Sequence, residues 1–223
     1  MIWRLAAVLC LAATALGAEV PASDGVAAEG PLPDQAFFRL VTCGASPGGA
    51  CRGPVLRWPK SRLTLAFRPG VTALPAGFAA RLGAAIDHAL REINAAGMAL
   101  QIVLTNGDGA DITIRPTSLG EGARLTERPG FSGVGVMGVG YMTVWSDDND
   151  QIIEAVILIS TTIAEADMTS VVLEEITQSL GILFDIENPW YEDVSILSQT
   201  SNAITTIQGQ DAALLRWLYP TKP

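Results

Sequence analysis

The stretch Leu173-Glu-Glu-Ile-Thr-Gln-Ser-Leu-Gly181 is the part of the sequence that decides the fold. The apolar residues in and next to it recur four positions apart, which is the spacing of one face of an α-helix. They are Val172, Ile176 and Leu180. Thr169 or Ser170 supplies an N-cap, and Gly181 is a typical residue to end a helix. The pattern predicts a helix over residues 170–181.

The other face of this predicted helix carries Glu174, Glu175 and Gln178. Two interpretations are open. Polar residues in this pattern are typical of the solvent-exposed face of an amphipathic helix. The same residues can instead form part of a binding site, because carboxylate and amide oxygens are ligands for hard cations. The rest of the sequence has to decide between the two.

Five further segments show the alternating polar and apolar pattern or the short apolar runs that are typical of strands. They are residues 62–67, 100–105, 111–115, 139–145 and 152–159. A second helix is predicted over residues 75–96, where an apolar stripe ends at Gly97, and a third over residues 208–218. Strands and helices in this order predict a mixed α/β or α+β layer.

The N-terminus has the features of a secretory signal. Arg4 is the only charged residue ahead of an apolar run from Leu5 to Gly17. Cleavage is expected after Ala18, with Ala15 as the second choice. This predicts a signal peptide over residues 1–18 and an exported protein, either periplasmic or secreted. An uncleaved N-terminal anchor is the alternative, although the run is shorter than the 20 or so apolar residues of a comfortable span.

The rest of the chain predicts one domain. Residues 19–35 are rich in Ala, Pro and Gly and have no periodicity, which predicts a disordered leader ahead of a domain over residues 36–223. No later segment is apolar for long enough to predict a membrane span. The formal net charge of −9 argues against a nucleic-acid partner, because phosphate binding depends on Lys and Arg.

Two of the three cysteines remain after signal cleavage, Cys43 and Cys51. The seven residues between them are mostly small and flexible, so the loop can close. In an oxidising compartment the two cysteines are expected to pair. Two free thiols are the alternative, and a metal site is not supported, since no His or further Cys lies nearby.

The order of the predicted elements, taken with these residues, resembles the zincin metallopeptidases, and the matrixin-like ones most. The resemblance covers residues 60–220. Asp111-Ile-Thr-Ile resembles their third strand, Leu173–Gly181 their active-site helix, and residues 210–219 the helix that closes such domains. The resemblance implies a zincin-like α+β domain, with a mixed five-stranded sheet and helices on one face.

The chain resembles even more closely a family of uncharacterised exported bacterial proteins. Those proteins carry a Glu-Glu-x-x-Gln-x-Leu-Gly helix, and here the same residue types begin at Glu174 and end at Gly181. They also carry a cysteine pair before an Arg-Trp, which here is Arg57-Trp58.

Zincins bind zinc through a His-Glu-x-x-His-x-x-Gly-x-x-His motif, in which the glutamate is the general base for the metal-bound water. In this chain Glu174 stands at the first histidine, Glu175 at the base and Gln178 at the second histidine. Phe184 stands at the third histidine, next to Asp185. The motif is therefore degenerate, because all three imidazoles are replaced.

The oxygen-bearing residues Glu174, Gln178 and Asp185 suit calcium, magnesium or manganese better than zinc. The resemblance therefore implies an exported, catalytically inactive domain that binds a peptide or protein partner. No cofactor is expected. The alternative is an atypical metallohydrolase, which would hold a divalent cation on these three residues and use Glu175 as its general base.

In zincins the fourth strand lies at the open edge of the sheet, and substrate pairs with it as an added strand. The corresponding strand here is residues 139–145, where Tyr141, Met142 and Trp145 are candidate anchors for a peptide. The segment has no Lys or Pro, the residues that usually block edge pairing. The alternative is that the Gly-rich residues 117–138 fold over this edge and cover it.

The signal-peptide interpretation predicts that the exported protein begins at Glu19 and that its two cysteines are linked. Mass spectrometry of the intact exported protein should give the mass of residues 19–223, and alkylation should add mass only after reduction. A mature protein that retains Met1 would contradict the predicted cleavage. Alkylation without reduction would contradict the disulfide.

Overall fold

The computed structural model describes residues 24–70, 73–126 and 135–221. Its largest element is a five-stranded mixed sheet. The strands are β2 (Arg62–Phe67), β3 (Gln101–Leu104), β4 (Ile112–Thr117), β7 (Gly140–Ser146) and β8 (Ile152–Ser160). Their order is β3-β2-β4-β8-β7, with β7 antiparallel to β8 and the other pairs parallel. The sequence predicted all five strands, each to within two residues at either end.

The described residues also form four α-helices and one short 3-10 helix. They are α1 (Asp34–Cys43), α2 (Phe78–Ala95), α3 (Met168–Gln178), α4 (Gly209–Leu218) and the 3-10 helix Pro189–Tyr191. The helices α2 and α3 pack against each other. In addition, α2 contacts β3, and α3 contacts β7 and β8. The fold class is therefore α+β, as the sequence predicted.

The two faces of the sheet are covered differently. Ile112 and Ile114 of β4 belong to the main core, which includes the buried faces of α2 and α3. Val156 and Leu158 of β8 point to the opposite, outer face. That face is partly covered by the hairpin of β5 (Arg124–Leu125) and β6 (Gly135–Val136). The alternation along each strand thus produces one large and one small apolar core.

The expectation of a disordered leader over residues 19–35 does not hold for the part that the structure describes. The strand β1 (Val26–Ala27) pairs in parallel with β9 (Ile186–Glu187), and Val26 is fully buried. The helix α1 then starts at Asp34. The composition of the segment hid these contacts, because a two-residue strand leaves no periodic pattern. The predicted signal peptide and residues 19–23 lie outside the described residues.

The helix α3 begins slightly earlier than expected. It starts at Met168 after Asp167, so neither Thr169 nor Ser170 is its N-cap. The hydroxyl of Ser170 instead donates to the carbonyl oxygen of Asp167, at 3.0 Å. At the other end, Gly181 has a φ of +100° and lies against the carbonyl oxygen of Leu56. A side chain at Gly181 would collide with that backbone, so the glycine allows the chain to turn tightly after α3.

The residues after α4 tie distant parts of the chain together. The hydroxyl of Tyr219 donates to the carbonyl oxygen of Leu180 at 2.6 Å and accepts from the backbone N–H of Trp58 at 3.1 Å. The indole N–H of Trp58 in turn donates to the carbonyl oxygen of Ser179 at 2.9 Å. Three segments far apart in sequence therefore meet at the C-terminal end of α3.

Cys43 and Cys51 are joined by a disulfide, which fits the pairing that the sequence predicted. The bond closes the short loop that follows α1. In the described ranges, none of the helices combines the length and the apolar character that a membrane-spanning helix needs.

The tight turn after α3 predicts that Gly181→Ala destabilises the domain by more than about 2 kcal/mol, because it adds strain at a positive φ and a collision with backbone. Gly53→Ala is the matched control, since a Cβ at Gly53 meets open space. Urea denaturation of both variants measures the difference. Equal stability of the two variants would contradict the assigned role of Gly181.

Candidate functional site

The helix α3 is buried on almost every side. Glu175 and Gln178, which an amphipathic helix would turn to solvent, are only 7% and 5% exposed. Glu174 is half-buried. The interpretation of these residues as a solvated polar face is therefore wrong for Glu175 and Gln178. Buried polar groups need partners, so their surroundings decide what they do.

The structure brings together Glu174, Gln178 and Asp185, the three residues that the sequence indicated as candidate ligands for a cation. The amide Nε2 of Gln178 donates to Oδ1 of Asp185 at 2.6 Å. Glu174 also hydrogen-bonds to Asp185 through its side chain. Two carboxyl groups can share a hydrogen bond only when one of them carries a proton. We refer to Glu174, Gln178 and Asp185 as the carboxyl network.

The loop that holds Asp185 is itself fixed by backbone hydrogen bonds. The carbonyl oxygen of Asp185 accepts from the N–H of Val26 at 2.9 Å. The next residue, Ile186, begins β9, which pairs with β1. The N-terminal strand therefore holds the loop after α3 in the position from which Asp185 reaches Gln178.

Glu175, the neighbour of Glu174 on α3, approaches β7. Its Oε1 lies so close to Gly140 that a Cβ on Gly140 would collide with it, and Val171 fills the adjacent space. Its Oε2 is buried and has no hydrogen-bond partner among residues 24–70, 73–126 and 135–221. Gly140 therefore leaves room for a carboxyl group directly behind the edge strand of the sheet.

The local electrostatics favour the protonated forms of these groups. Burial raises the pKa of Glu175 well above its usual value, and the nearby carboxyl groups of Asp185 and Asp24 raise it further. The pKa of Glu174 is raised by the same causes, with Glu175 as an additional neighbour. Burial and Asp24 raise the pKa of Asp185, although hydrogen bonds from Gln178 and Glu174 offset part of the effect.

The residues at this site do not fit a zinc centre. Across the described residues, no three His, Cys, Asp or Glu side chains lie in an arrangement that could hold a metal ion. The Gln178 amide donates to Asp185, so that carboxylate oxygen is already engaged. Phe184, at the position of the third histidine, packs against the Arg52 guanidinium. The single histidine, His88, interacts with the carbonyl oxygen of Thr205 at 2.6 Å.

A second buried carboxyl group lies near the start of α4. The hydroxyl of Ser195 donates to Asp211 Oδ1 at 2.6 Å, and the backbone N–H of Ile196 donates to Oδ2 at 3.0 Å. Burial raises the pKa of Asp211 to about 6, against the lowering effect of these two hydrogen bonds. Asp211 is thus satisfied within the protein and joins the loop over residues 195–197 to α4.

The strand β7 forms one edge of the sheet. Tyr141 and Trp145 pack on the outer face, against the small core beneath the β5–β6 hairpin, whereas Met142 packs toward the helices. The three candidate anchors are all half-buried, and they lie on two different faces of the sheet. Residues 117–126 and 135–138 of the Gly-rich segment cover the outer face; in the ranges that the structure describes, no strand pairs with the outer edge of β7.

The register of β7 on β8 determines which backbone groups face outward. The N–H of Ser160 donates to the carbonyl oxygen of Val139, and hydrogen-bonded pairs alternate along an antiparallel ladder. Thr143, opposite Val156, therefore points its N–H toward β8. The outward-facing N–H and C=O groups belong to Gly140, Met142 and Val144, which we call the outward groups of β7.

Sequence reasoning missed two members of this site. Asp24 falls in the segment that was predicted to be a disordered leader, and no pattern in the sequence connects it to α3. Gly140 did leave a signal, because a glycine inside a strand often marks a close approach of another group. The side chain that approaches Gly140 is Glu175.

A family model described as "Protein of unknown function (DUF2927)" matches residues 76–222 of the chain. The matched region contains the helices α2, α3 and α4 and four of the five strands of the main sheet, which are β3, β4, β7 and β8. No curated protein matches the chain.

The raised pKa values predict that the domain becomes more stable as the pH falls from about 7.5 to about 5.5, since the folded state then binds more protons than the unfolded state. Asp211, with a pKa raised from 3.8 to about 6, contributes about 1 kcal/mol to this change. Glu174, Glu175 and Asp185 add to it in the same direction. Urea denaturation at the two pH values measures the effect.

Asp211→Asn and Glu175→Gln are the control variants, and each should reduce the dependence on pH. Asp111 and Asp147 do not contribute to the change in stability over this pH range, because their pKa values are lowered. Their protonation affects stability only below about pH 5. A stability that stays constant or falls as the pH is lowered to about 5.5 would show that the buried carboxyl groups are not protonated in the folded state.

Proposed function

We propose that this chain, which belongs to the DUF2927 family, binds an extended peptide segment of a protein partner along the outer edge of β7. The observation that carries the proposal is the register of β7, which directs the N–H and C=O groups of Gly140, Met142 and Val144 away from β8. A peptide that pairs with these groups extends the five-stranded sheet by one strand.

The composition of the edge supports this proposal. The segment Gly140-Tyr-Met-Thr-Val-Trp-Ser146 contains no Lys, Arg or Pro. Protein edges that are not used for pairing are usually blunted by such residues, by bulges or by a covering element. The only irregularity of the ladder lies at its end, between Trp145 and Ser146. The central residues of β7 are thus suited to accept another strand.

The proposed domain is zincin-like in architecture but not in catalysis. The fourth strand of the sheet in chain order lies at its edge and α3 lies beside it, which supports the resemblance. The carboxyl network, in which Gln178 and Glu174 both hydrogen-bond to Asp185, supports a role without zinc. The partner therefore contacts an edge strand that lies directly in front of Glu175, a carboxyl group whose pKa is raised by burial.

An exported location fits this proposal. The disulfide between Cys43 and Cys51 is of a kind that persists in oxidising compartments and is rare in the cytosol. Together with the N-terminal signal expected from the sequence, it supports a periplasmic or secreted protein that meets its partner outside the cytoplasm.

Hydrogen exchange tests the proposal directly. A phage library of random seven-residue peptides is selected against the folded protein, and an enriched peptide is synthesised as the probe. In the free protein the N–H groups of Met142 and Val144 should exchange faster than those of Thr143 and Trp145, which face β8. The probe should slow exchange at Met142 and Val144. Enrichment of no peptide, or protection elsewhere only, would contradict binding at β7.

A proline substitution tests the role of a single outward-facing N–H group of β7. Val144→Pro should lower the affinity for the selected peptide at least tenfold, because it removes one inter-strand hydrogen bond and adds a steric block. Val144→Ala keeps the N–H and should bind within about threefold of the original protein. Thr143→Pro should instead destabilise the domain, since its N–H faces β8. Equal binding by Val144→Pro and Val144→Ala would contradict the predicted geometry.

Cleavage and binding assays on the same purified protein distinguish the proposed peptide-binding role from the alternative, a metallohydrolase. The proposal expects that casein is not cleaved in the presence of calcium, magnesium, manganese or zinc, and that Glu175→Ala still binds the selected peptide. A cation-dependent cleavage that Glu175→Ala abolishes would overturn the inactive assignment and support Glu175 as a general base.

A further inference from the structure

A cavity lies on the outer face of the sheet, away from α2 and α3 and from the edge of β7. It has a volume of about 400 Å³ and lies between the β3–β4 connection and the outer face of β4 and β8. Ligand sites for small molecules typically fall in the range of about 300 to 1,000 Å³. Its lining includes Arg68, Gly109, Thr113, Arg115 and Glu154.

Arg68 builds one wall of this cavity. Its guanidinium donates to the carbonyl oxygens of Asn106 and Gly107, and it lies 3.7 Å from the carboxylate of Asp108. These contacts hold the β3–β4 connection over the end of β2. The cation of Arg68 is thus committed to fixing the shape of the cavity.

Arg115 stands beside Arg68 on the neighbouring strand. The parallel register that pairs Phe67 with Ile114 places these two arginines at the next position along β2 and β4. On its other side, Arg115 is paired in register with Leu158 of β8, which offers no polar group. Like charges in adjacent cross-strand positions are destabilising, so the arrangement calls for an opposite charge.

No described residue supplies that charge to Arg115. Its Nε is buried without a hydrogen-bond partner, and its guanidinium forms no hydrogen bond or ion pair within the described ranges. Glu154 lines the same cavity, but its carboxylate does not come within ion-pair distance of Arg115. A buried guanidinium nitrogen without an acceptor is costly.

We infer that this cavity is a binding site for a small oxyanion, a carboxylate or a phosphate, which Arg115 holds end-on through its two terminal nitrogens. A planar guanidinium matches two oxygens of either group. The half-exposed face of Arg115 receives the anion from solvent, and Thr113, on the same face of β4, adds a hydroxyl donor to the wall. The site is separate from the peptide-binding edge and goes beyond the proposed function.

The test uses the full folded chain and two probes, inorganic phosphate and succinate, each at constant ionic strength against sodium chloride. Isothermal titration calorimetry should show saturable binding of at least one probe. Arg115→Gln should weaken this binding at least tenfold, because a charged hydrogen-bond pair is lost. Arg115→Lys should also weaken it, since an ammonium lacks the planar pair of donors that matches two oxygens. Arg62→Gln, an exposed arginine at the start of β2, should bind normally.

The two probes also distinguish the source of the oxyanion. Binding of phosphate alone assigns the site to phosphate or phosphate esters, and binding of succinate alone assigns it to carboxylates. Binding of neither probe beyond that of chloride would overturn the inference. So would equal affinity of the original protein and Arg115→Gln.

A stability measurement excludes a purely structural role for Arg115. Without added oxyanion, Arg115→Gln should be at least as stable to urea as the original protein, because it removes an unpaired cation. With a saturating probe, the original protein should gain stability and the variant should not. A variant that is less stable in the absence of any oxyanion would show that Arg115 supports the fold, and would overturn the inference.

Discussion

The hydrogen bond from Gln178 to Asp185 is the interaction on which the organisation of the site depends. It joins the last turn of α3 to the loop that follows, and β1 and β9 hold that loop through their own pairing. Because both groups are buried, loss of either one leaves an unsatisfied polar atom in the interior. The contact therefore connects the buried end of α3 to a loop whose position is held by the N-terminal strand.

The same constraint explains why a helix with two adjacent glutamates is buried. At the raised pKa values of this site, burial does not require charged carboxylates, since a proton shared between Glu174 and Asp185 removes one charge. Glu175 fits behind β7 only because residue 140 is a glycine.

The sequence predicted most of the sheet and the long helices because their apolar residues repeat with a clear period. Ile112 and Ile114, for example, alternate with Thr113 and Arg115 along β4. It could not predict β1, because two residues have no period and their pairing depends on β9, far away in the chain. It placed Glu174, Gln178 and Asp185 near one another, but not the burial of Gln178, since helical spacing does not say which elements cover a face.

The hydrogen bonds of Tyr219 have a consequence for the timing of folding. This residue directly follows α4, the last helix that the structure describes, and its hydroxyl joins Trp58 to the end of α3. A polypeptide that emerges N-terminus first, from a ribosome or a translocation channel, exposes β2 to β8 long before Tyr219 arrives. The C-terminal end of α3 therefore lacks these contacts until Tyr219 has emerged, and a chain truncated before Tyr219 would never form them.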